Sequence, residues 1–258
     1  MAARPIELVT FDLYDTLIEL HPTRWSRLHA ALSTLGIGAS LERLSTADVT
    51  AEDYYTRENT ILPIRDRSAE DRLAFRLSYM RNWLDAAGVA YDEPLLQRIR
   101  SSYQAEFESP AVETTIGFGY RVFPDVISTM RALRNSGVKT AVISNADADV
   151  TELCLHFAFA QEMDLVVTSA LVGWEKPDVR TYRAALEPLG VEASGALHIG
   201  DQPRSDVVGA LAVGMRAALI DRYTRHDRAQ HNVPVFRDFA ELIRYVESAN
   251  SAPLVSRS

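Results

Sequence analysis

The sequence predicts an α/β protein: a doubly wound, mainly parallel sheet, broken after its first strand by an inserted block of helices. Three observations carry this. Short apolar, β-branched runs alternate with amphipathic helical stretches over the second half of the chain, the pattern of a layered α/β core. These runs are apolar throughout rather than alternating, as strands buried on both faces are. Residues 22–109 instead show only helical spacing, between the first strand and the next.

Taken in order, the first strand is Ile6–Asp12, I-E-L-V-T-F-D, and residues 13–21 leave the core. Pro22–Leu35 places Trp25, Leu28, Ala31, Leu32 and Leu35 on one helical face, and Leu41–Thr56 is a weaker helical pattern. Ala69–Ala87 carries Leu73, Phe75, Leu77, Met80, Trp83, Leu84 and Ala87; Leu95–Phe107 repeats Leu95, Ile99, Tyr103 and Phe107 at steps of four. Gly36 and Gly88 are the stop signals. After Gly117-Phe118-Gly119 the chain alternates again: helix from Pro124 to Asn135, strand Val138–Ser144, a helix, strand Met163–Ser169, helix Asp178–Leu189, strand Ala196–Gly200, helix Asp206–Val213 and strand Arg216–Asp221. A short helix, Phe239–Glu247, precedes a polar tail expected to fray.

Composition narrows the function classes. The chain has 258 residues, 47% hydrophobic and 24% charged, as globular proteins do. Its formal net charge of −8 argues against non-specific nucleic-acid or anionic-membrane binding. The single cysteine, Cys154, lies in an apolar run, so neither an intrachain disulfide nor a thiolate zinc cluster can form, and a buried structural thiol is expected. No apolar h-region precedes the first strand and no run is long enough to span a membrane, so a cytoplasmic protein is expected.

The polar residues gather where the strands end. Asp12 closes the first strand, and Ser144-Asn145 close the second core strand. G-W-E-K-P-D, with Lys176, follows the third; G-D-Q-P-R-S-D, with Asp201 and Asp206, ends the fourth. In a parallel sheet these ends share one edge, where open α/β sheets bind ligands. Clustered carboxylates repel unless a cation neutralises them, and oxygen-only ligands suit a hard divalent ion such as Mg²⁺. A lysine and a hydroxyl suit a phosphoryl group, and a carboxylate beside them can act as nucleophile. The set reads as phosphoryl transfer through an aspartyl-phosphate.

D-L-Y-D-T-L, V-I-S-N, G-W-E-K-P-D and H-I-G-D-Q-P-R-S-D, in that order and spacing, resemble the four motifs of the haloacid dehalogenase (HAD) superfamily of hydrolases. The helical block resembles that superfamily's cap of the first type. The resemblance covers residues 6–247 and implies a Rossmann-like core at 1–18 and 118–258 with a helical cap at 19–117. Residue by residue, it implies that Asp12 is the nucleophile and that the backbone carbonyl of Tyr14 is a metal ligand. Ser144 and Asn145 would bind the phosphoryl group, and Lys176 would pair with both nucleophile and phosphoryl oxygens. Asp201 and Asp206 would complete a Mg²⁺ site with Asp12. Thr16, Asp15 and Asp178 match loop-shaping positions. The implied substrate is a small phosphorylated metabolite; in such enzymes the cap selects it and gates the site. Hinges are expected near Ile18–Pro22 and Thr115–Tyr120.

One position departs from the phosphatase pattern. Family phosphatases usually carry a second Asp two residues after the nucleophile, as general acid and base; this chain has Tyr14. Losing such a group typically costs about 10²–10⁴-fold in rate. Tyrosine there also occurs in the metal-free 2-haloacid dehalogenase branch, the alternative enzyme, although the pair Asp201 and Asp206 fits a metal better. A phospho-ligand-binding protein of low activity is the third reading. His198 is expected to be a hydrogen-bonded core residue, and His226 and His231 to lie in a solvated loop. Trp25, Tyr79 and Trp83 are expected in the cap core. One of His21, Arg24 and Arg27 is expected to contact substrate.

Overall fold

A computed structural model describes residues 4–107 and 119–251. The chain forms two compact units, Met1–Glu19 with Val122–Ser258, and Leu20–Arg121. The first is built on a six-stranded sheet of β1 (Leu8–Phe11), β4 (Lys139–Ser144), β5 (Leu165–Thr168), β6 (Ala196–Gly200), β7 (Arg216–Ile220) and β8 (Val235–Phe236). Every adjacent pair is parallel, in the order β5-β4-β1-β6-β7-β8. Counted along the sheet's own strands this is the Rossmann order 3-2-1-4-5-6, with its switch point between β1 and β6. A two-stranded sheet of β2 (Ile18–Leu20) and β3 (Tyr120–Val122) lies where the chain passes from one unit to the other.

β1 is buried along its whole length, which is why its sequence carries no polar alternation. Its side chains still divide between two layers. Leu8 joins Ala141, Ile143, Tyr182, Ala185 and Ala196 in one core. Phe11 packs edge-to-face on Phe239, with ring centroids 5.4 Å apart. Helices α5 (Val126–Asn135), α6 (Thr151–His156), α7 (Ser169–Val172), α8 (Val179–Leu189), α9 (Gly209–Val213) and α10 (Phe239–Ser251) complete this unit.

The second unit contains α1 (Arg24–Thr34), α2 (Leu41–Ile61), α3 (Ala69–Ala86) and α4 (Glu93–Ala105). Each begins at a side-chain cap, Thr23, Ser40, Ser68 and Asp92, whose oxygen accepts an otherwise unpaired backbone N–H. Leu28, Leu32, Leu44, Trp83, Leu84, Leu96 and Ile99 form its buried interior. Trp83 also donates through Nε1 to the Leu44 carbonyl at 2.8 Å. No helix among the described residues is long and apolar enough to cross a membrane.

Several boundaries differ from the sequence reading. β2, β3 and β8 are strands of two or three residues, too short to show a period. The turn after β6 winds into a π-type helix from Pro203, before the expected start at Asp206. α10 runs to Ser251 rather than ending at Glu247, because the Asn250 amide bonds both polar groups of the Ile6 backbone, at 2.6 and 3.0 Å. Of the expected second hinge, Thr115–Phe118 lie outside the described residues, while Gly119 adopts φ +81°.

Candidate active site

The site sits at the carboxyl ends of the central strands. Asp12 directly follows β1, its backbone N–H bonded to the Ile199 carbonyl of β6 at 2.8 Å. Asp201 directly follows β6, and Asp206 returns toward it from the π-type turn. One carboxylate oxygen from each of Asp12, Asp201 and Asp206 lies within 4.8 Å of the others, and all three residues are buried. Lys176, 1% exposed, enters this group from the loop after α7. Its Nζ donates to Asp12 Oδ1 and to Asp206 Oδ1, both at 2.6 Å.

Asn145 holds the lysine's backbone. Its Oδ1 accepts from the Lys176 N–H at 2.8 Å, and its Nδ2 donates to the Lys176 carbonyl at 3.0 Å. The amide expected at the phosphoryl group is therefore engaged on the peptide that carries the lysine. Ser144, at the end of β4, is fully buried, and its Oγ has no hydrogen-bond partner among the described residues. Tyr14 is half-buried and bridges by its backbone to Ile18. Asp15 takes a left-handed φ of 54°, a conformation Asp tolerates.

Gly200 is required by close approach. A Cβ there would collide with the Asp206 carboxylate, so only glycine lets that side chain fold back over the end of β6.

The electrostatics follow from burial. Burial pushes the Asp12 carboxyl up to about 7, against the pull of Lys176. Burial, with Asp15, Asp12 and Asp206 adding to it, raises Asp201 well above the usual carboxylate range. For Asp206 burial is outweighed by Lys176 and His198, which hold it below that range. Lys176 is raised despite burial, because Asp12 and Asp206 favour its charged form. The cluster thus contains more buried carboxylate than Lys176 can balance. An all-oxygen group of this charge fits a hard divalent cation.

Two contributions were not legible in the sequence. His198 is fully buried, as expected of a core residue, but its Nε2 lies 3.1 Å from Asp206 Oδ1. The loop after β7, expected to be solvated, is anchored in its first part and exposed over residues 227–230. Arg222 donates to the Thr16 carbonyl at 3.0 Å and to Asp125 at 2.7 Å, and Arg225 reaches within 3.6 Å of Asp201. Asp221 accepts the N–H groups of Arg225 and His226, each at 2.8 Å. The pairing of strand ends could have flagged this loop, since β7 ends beside β6.

In the helical unit, Arg27 is buried and donates to the carbonyls of Glu106 at 2.6 Å and Pro22 at 2.9 Å. Its guanidinium also stacks 4.3 Å from the Phe107 ring centroid. Arg24 forms a paired bond to Asp48, at 2.9 and 3.2 Å. Arg27 therefore serves the fold of this unit and has no exposed donor to offer a substrate. Tyr79 bonds Glu52 at 2.7 Å, and Trp83 is fully buried, as expected of core residues.

Known proteins resemble this chain in sequence and fold. Residues 6–214 match the haloacid dehalogenase-like hydrolase family. The chain is 26% identical to haloacid dehalogenase-like hydrolase domain-containing protein 3 of Bos taurus, across 95% of this chain and 97% of that one. It is 29% identical to the phosphoserine phosphatase of Thermus thermophilus, across 85% and 90%. Among solved structures, a HAD family hydrolase from Deinococcus radiodurans superposes with a TM-score of 0.65 at 20% identity, covering 95% of this chain and 96% of that one. A 2-haloacid dehalogenase from Pseudomonas syringae gives 0.52 at 25% identity, covering 94% and 98%. A parallel sheet in Rossmann order, a family match over most of the chain and relatives aligned along nearly their whole length place this protein among the haloacid dehalogenase-like hydrolases.

Proposed function

We propose that this hydrolase is a Mg²⁺-dependent phosphatase acting on a small phosphorylated metabolite through an aspartyl-phosphate at Asp12. One observation carries the reading: Asp12, Asp201 and Asp206 gather in one buried group, with Lys176 bonded to both Asp12 and Asp206. A metal-free dehalogenase would have to keep three buried carboxylates beside an anionic substrate, which costs free energy that Lys176 and Arg225 offset only in part.

Asp12, Asp201, Asp206 and the Tyr14 carbonyl would hold Mg²⁺, which would supply positive charge for the carboxylates and the phosphoryl oxygens. Asp12 attacks phosphorus; its oxygen forms the new bond while the bond from phosphorus to the ester oxygen breaks. Lys176 orients Asp12 and faces the charge that develops on the phosphoryl group. The buried Ser144 hydroxyl supports a matching donor role, since a phosphoryl oxygen would satisfy it. Water then attacks the aspartyl-phosphate, releasing phosphate and restoring Asp12. With Tyr14 in place of a general acid, the leaving oxygen takes its proton from water, so substrates with acidic leaving groups should turn over fastest. The helical unit is read as the family's cap, the part that selects the substrate.

Phosphate release from an aryl phosphate tests this, with Mg²⁺ and with chelator, for the native chain and Asp12→Asn. Release should need the metal and fall at least about 10³-fold in the variant. Halide release from a 2-haloacid that chelator leaves untouched would replace the reading with the dehalogenase one.

A further inference from the structure

We propose that His198 is a positioning residue that, donating through Nε2, aims Lys176 through Asp206. For its effect on turnover the proposal rests on the phosphatase reading above.

The geometry comes from two neighbouring strands. The β1–β6 register sets Thr10 directly beside His198. Thr10 Oγ1 lies 2.8 Å from Nδ1, and both residues are fully buried. On the other side of the ring, Nε2 lies 3.1 Å from Asp206 Oδ1. The Tyr182 ring meets the imidazole edge-on at 5.1 Å and 90°, which fixes the ring plane.

The proton positions follow from what each group can do. An ionised carboxylate only accepts, so Nε2 must carry the proton that it donates to Asp206. On the other side of the ring the Thr10 hydroxyl, which can donate or accept, is the partner of Nδ1. Asp206 is in this way held by three donors from three segments: His198 Nε2 and Lys176 Nζ at Oδ1, and the Gln202 N–H at Oδ2, 2.9 Å away. A carboxylate so constrained fixes Lys176, whose other bond goes to Asp12. The chain of contacts leaves β1 at Thr10 and returns to its end at Asp12.

The experiment uses the full chain. Ring ¹⁵N spectra near neutral pH, assigned with His198→Gln, should show Nε2 protonated; a proton on Nδ1 alone would overturn the proposal. With the aryl phosphate, His198→Leu should lower kcat about 10–100-fold with KM little changed. His198→Gln, which keeps an N–H for Asp206, should recover most of that loss. Unchanged kcat in His198→Leu, or a loss confined to KM, would count against a positioning role. Should His198→Leu not fold, the isosteric Thr10→Val removes only the hydroxyl and should lower kcat in the same direction. If the native chain releases no phosphate, that failure belongs to the phosphatase reading. The ring nitrogens and the Lys176 ammonium resonance, which should move in Thr10→Val, then decide the proposal.

Discussion

The two units bury polar groups for different ends. In the helical unit each such group named above has a local partner: Arg27 the carbonyls of Glu106 and Pro22, Asp48 the Arg24 guanidinium, Trp83 the Leu44 carbonyl. Asn59 accepts the Ile64 N–H at 2.7 Å. In the sheet unit, buried carboxylates converge on one point with too little positive charge beside them, and a serine hydroxyl stays unpaired. Satisfied burial fixes a fold; unsatisfied burial at a strand edge is what a ligand completes.

The sharpest way to break this contrast is Lys176→Met. Removing the ammonium leaves Asp12 and Asp206 without their shared donor, and breaking a buried pair typically costs about 3–5 kcal/mol. Phosphate release should vanish and metal-free stability should drop by that order, read by chemical denaturation. A stable, active variant would mean that the cluster is not held by the lysine.

Gly200→Ala adds one methyl where the Asp206 carboxylate lies. Displacing that carboxylate should cost about 100-fold in kcat, the scale of a misplaced catalytic group, with circular dichroism unchanged. Unchanged turnover would show that Asp206 can be moved without consequence.

Arg27→Met probes the other side of the comparison. It removes the charged donor that the Glu106 and Pro22 carbonyls share, which should cost about 1.5–3 kcal/mol of stability, while the Mg²⁺ affinity of the surviving folded protein stays the same. A weakened metal affinity would contradict the separation of roles.

The smallest effect concerns pH. Burial opposes ionisation of Asp221, but the N–H groups of Arg225 and His226 and the Arg237 guanidinium outweigh it and hold its carboxyl below the usual range. A depressed folded pKa contributes stability that is present above the ordinary value of about 3.9 and is lost as pH falls through the folded value. Denaturation midpoints of the native chain should fall below about pH 4 more steeply than those of Asp221→Asn. Parallel slopes would remove Asp221 from the acid sensitivity.

The sequence by itself determined the layered class of the sheet unit and the four strand ends. Strands buried on both faces must be apolar, so the first polar residue after each run marks where it leaves the core, as Asp12 does after Leu8–Phe11. It also determined the start of α3 at Ala69, where the helical period begins, whereas α4 starts at Glu93, two residues before the expected Leu95. Tertiary structure decided the rest. A two-residue strand such as Val235–Phe236 exists only because β7 offers it an edge. The polar end of α10 stays helical because Asn250 finds the Ile6 backbone, far away in sequence. His198 reads as an ordinary core histidine until strand register sets it beside Thr10 and the Asp206 carboxylate folds back over Gly200. Local pattern records which face of an element is buried, whereas hydrogen bonds between distant segments depend on register and close approach, and those are set only when the whole sheet has formed.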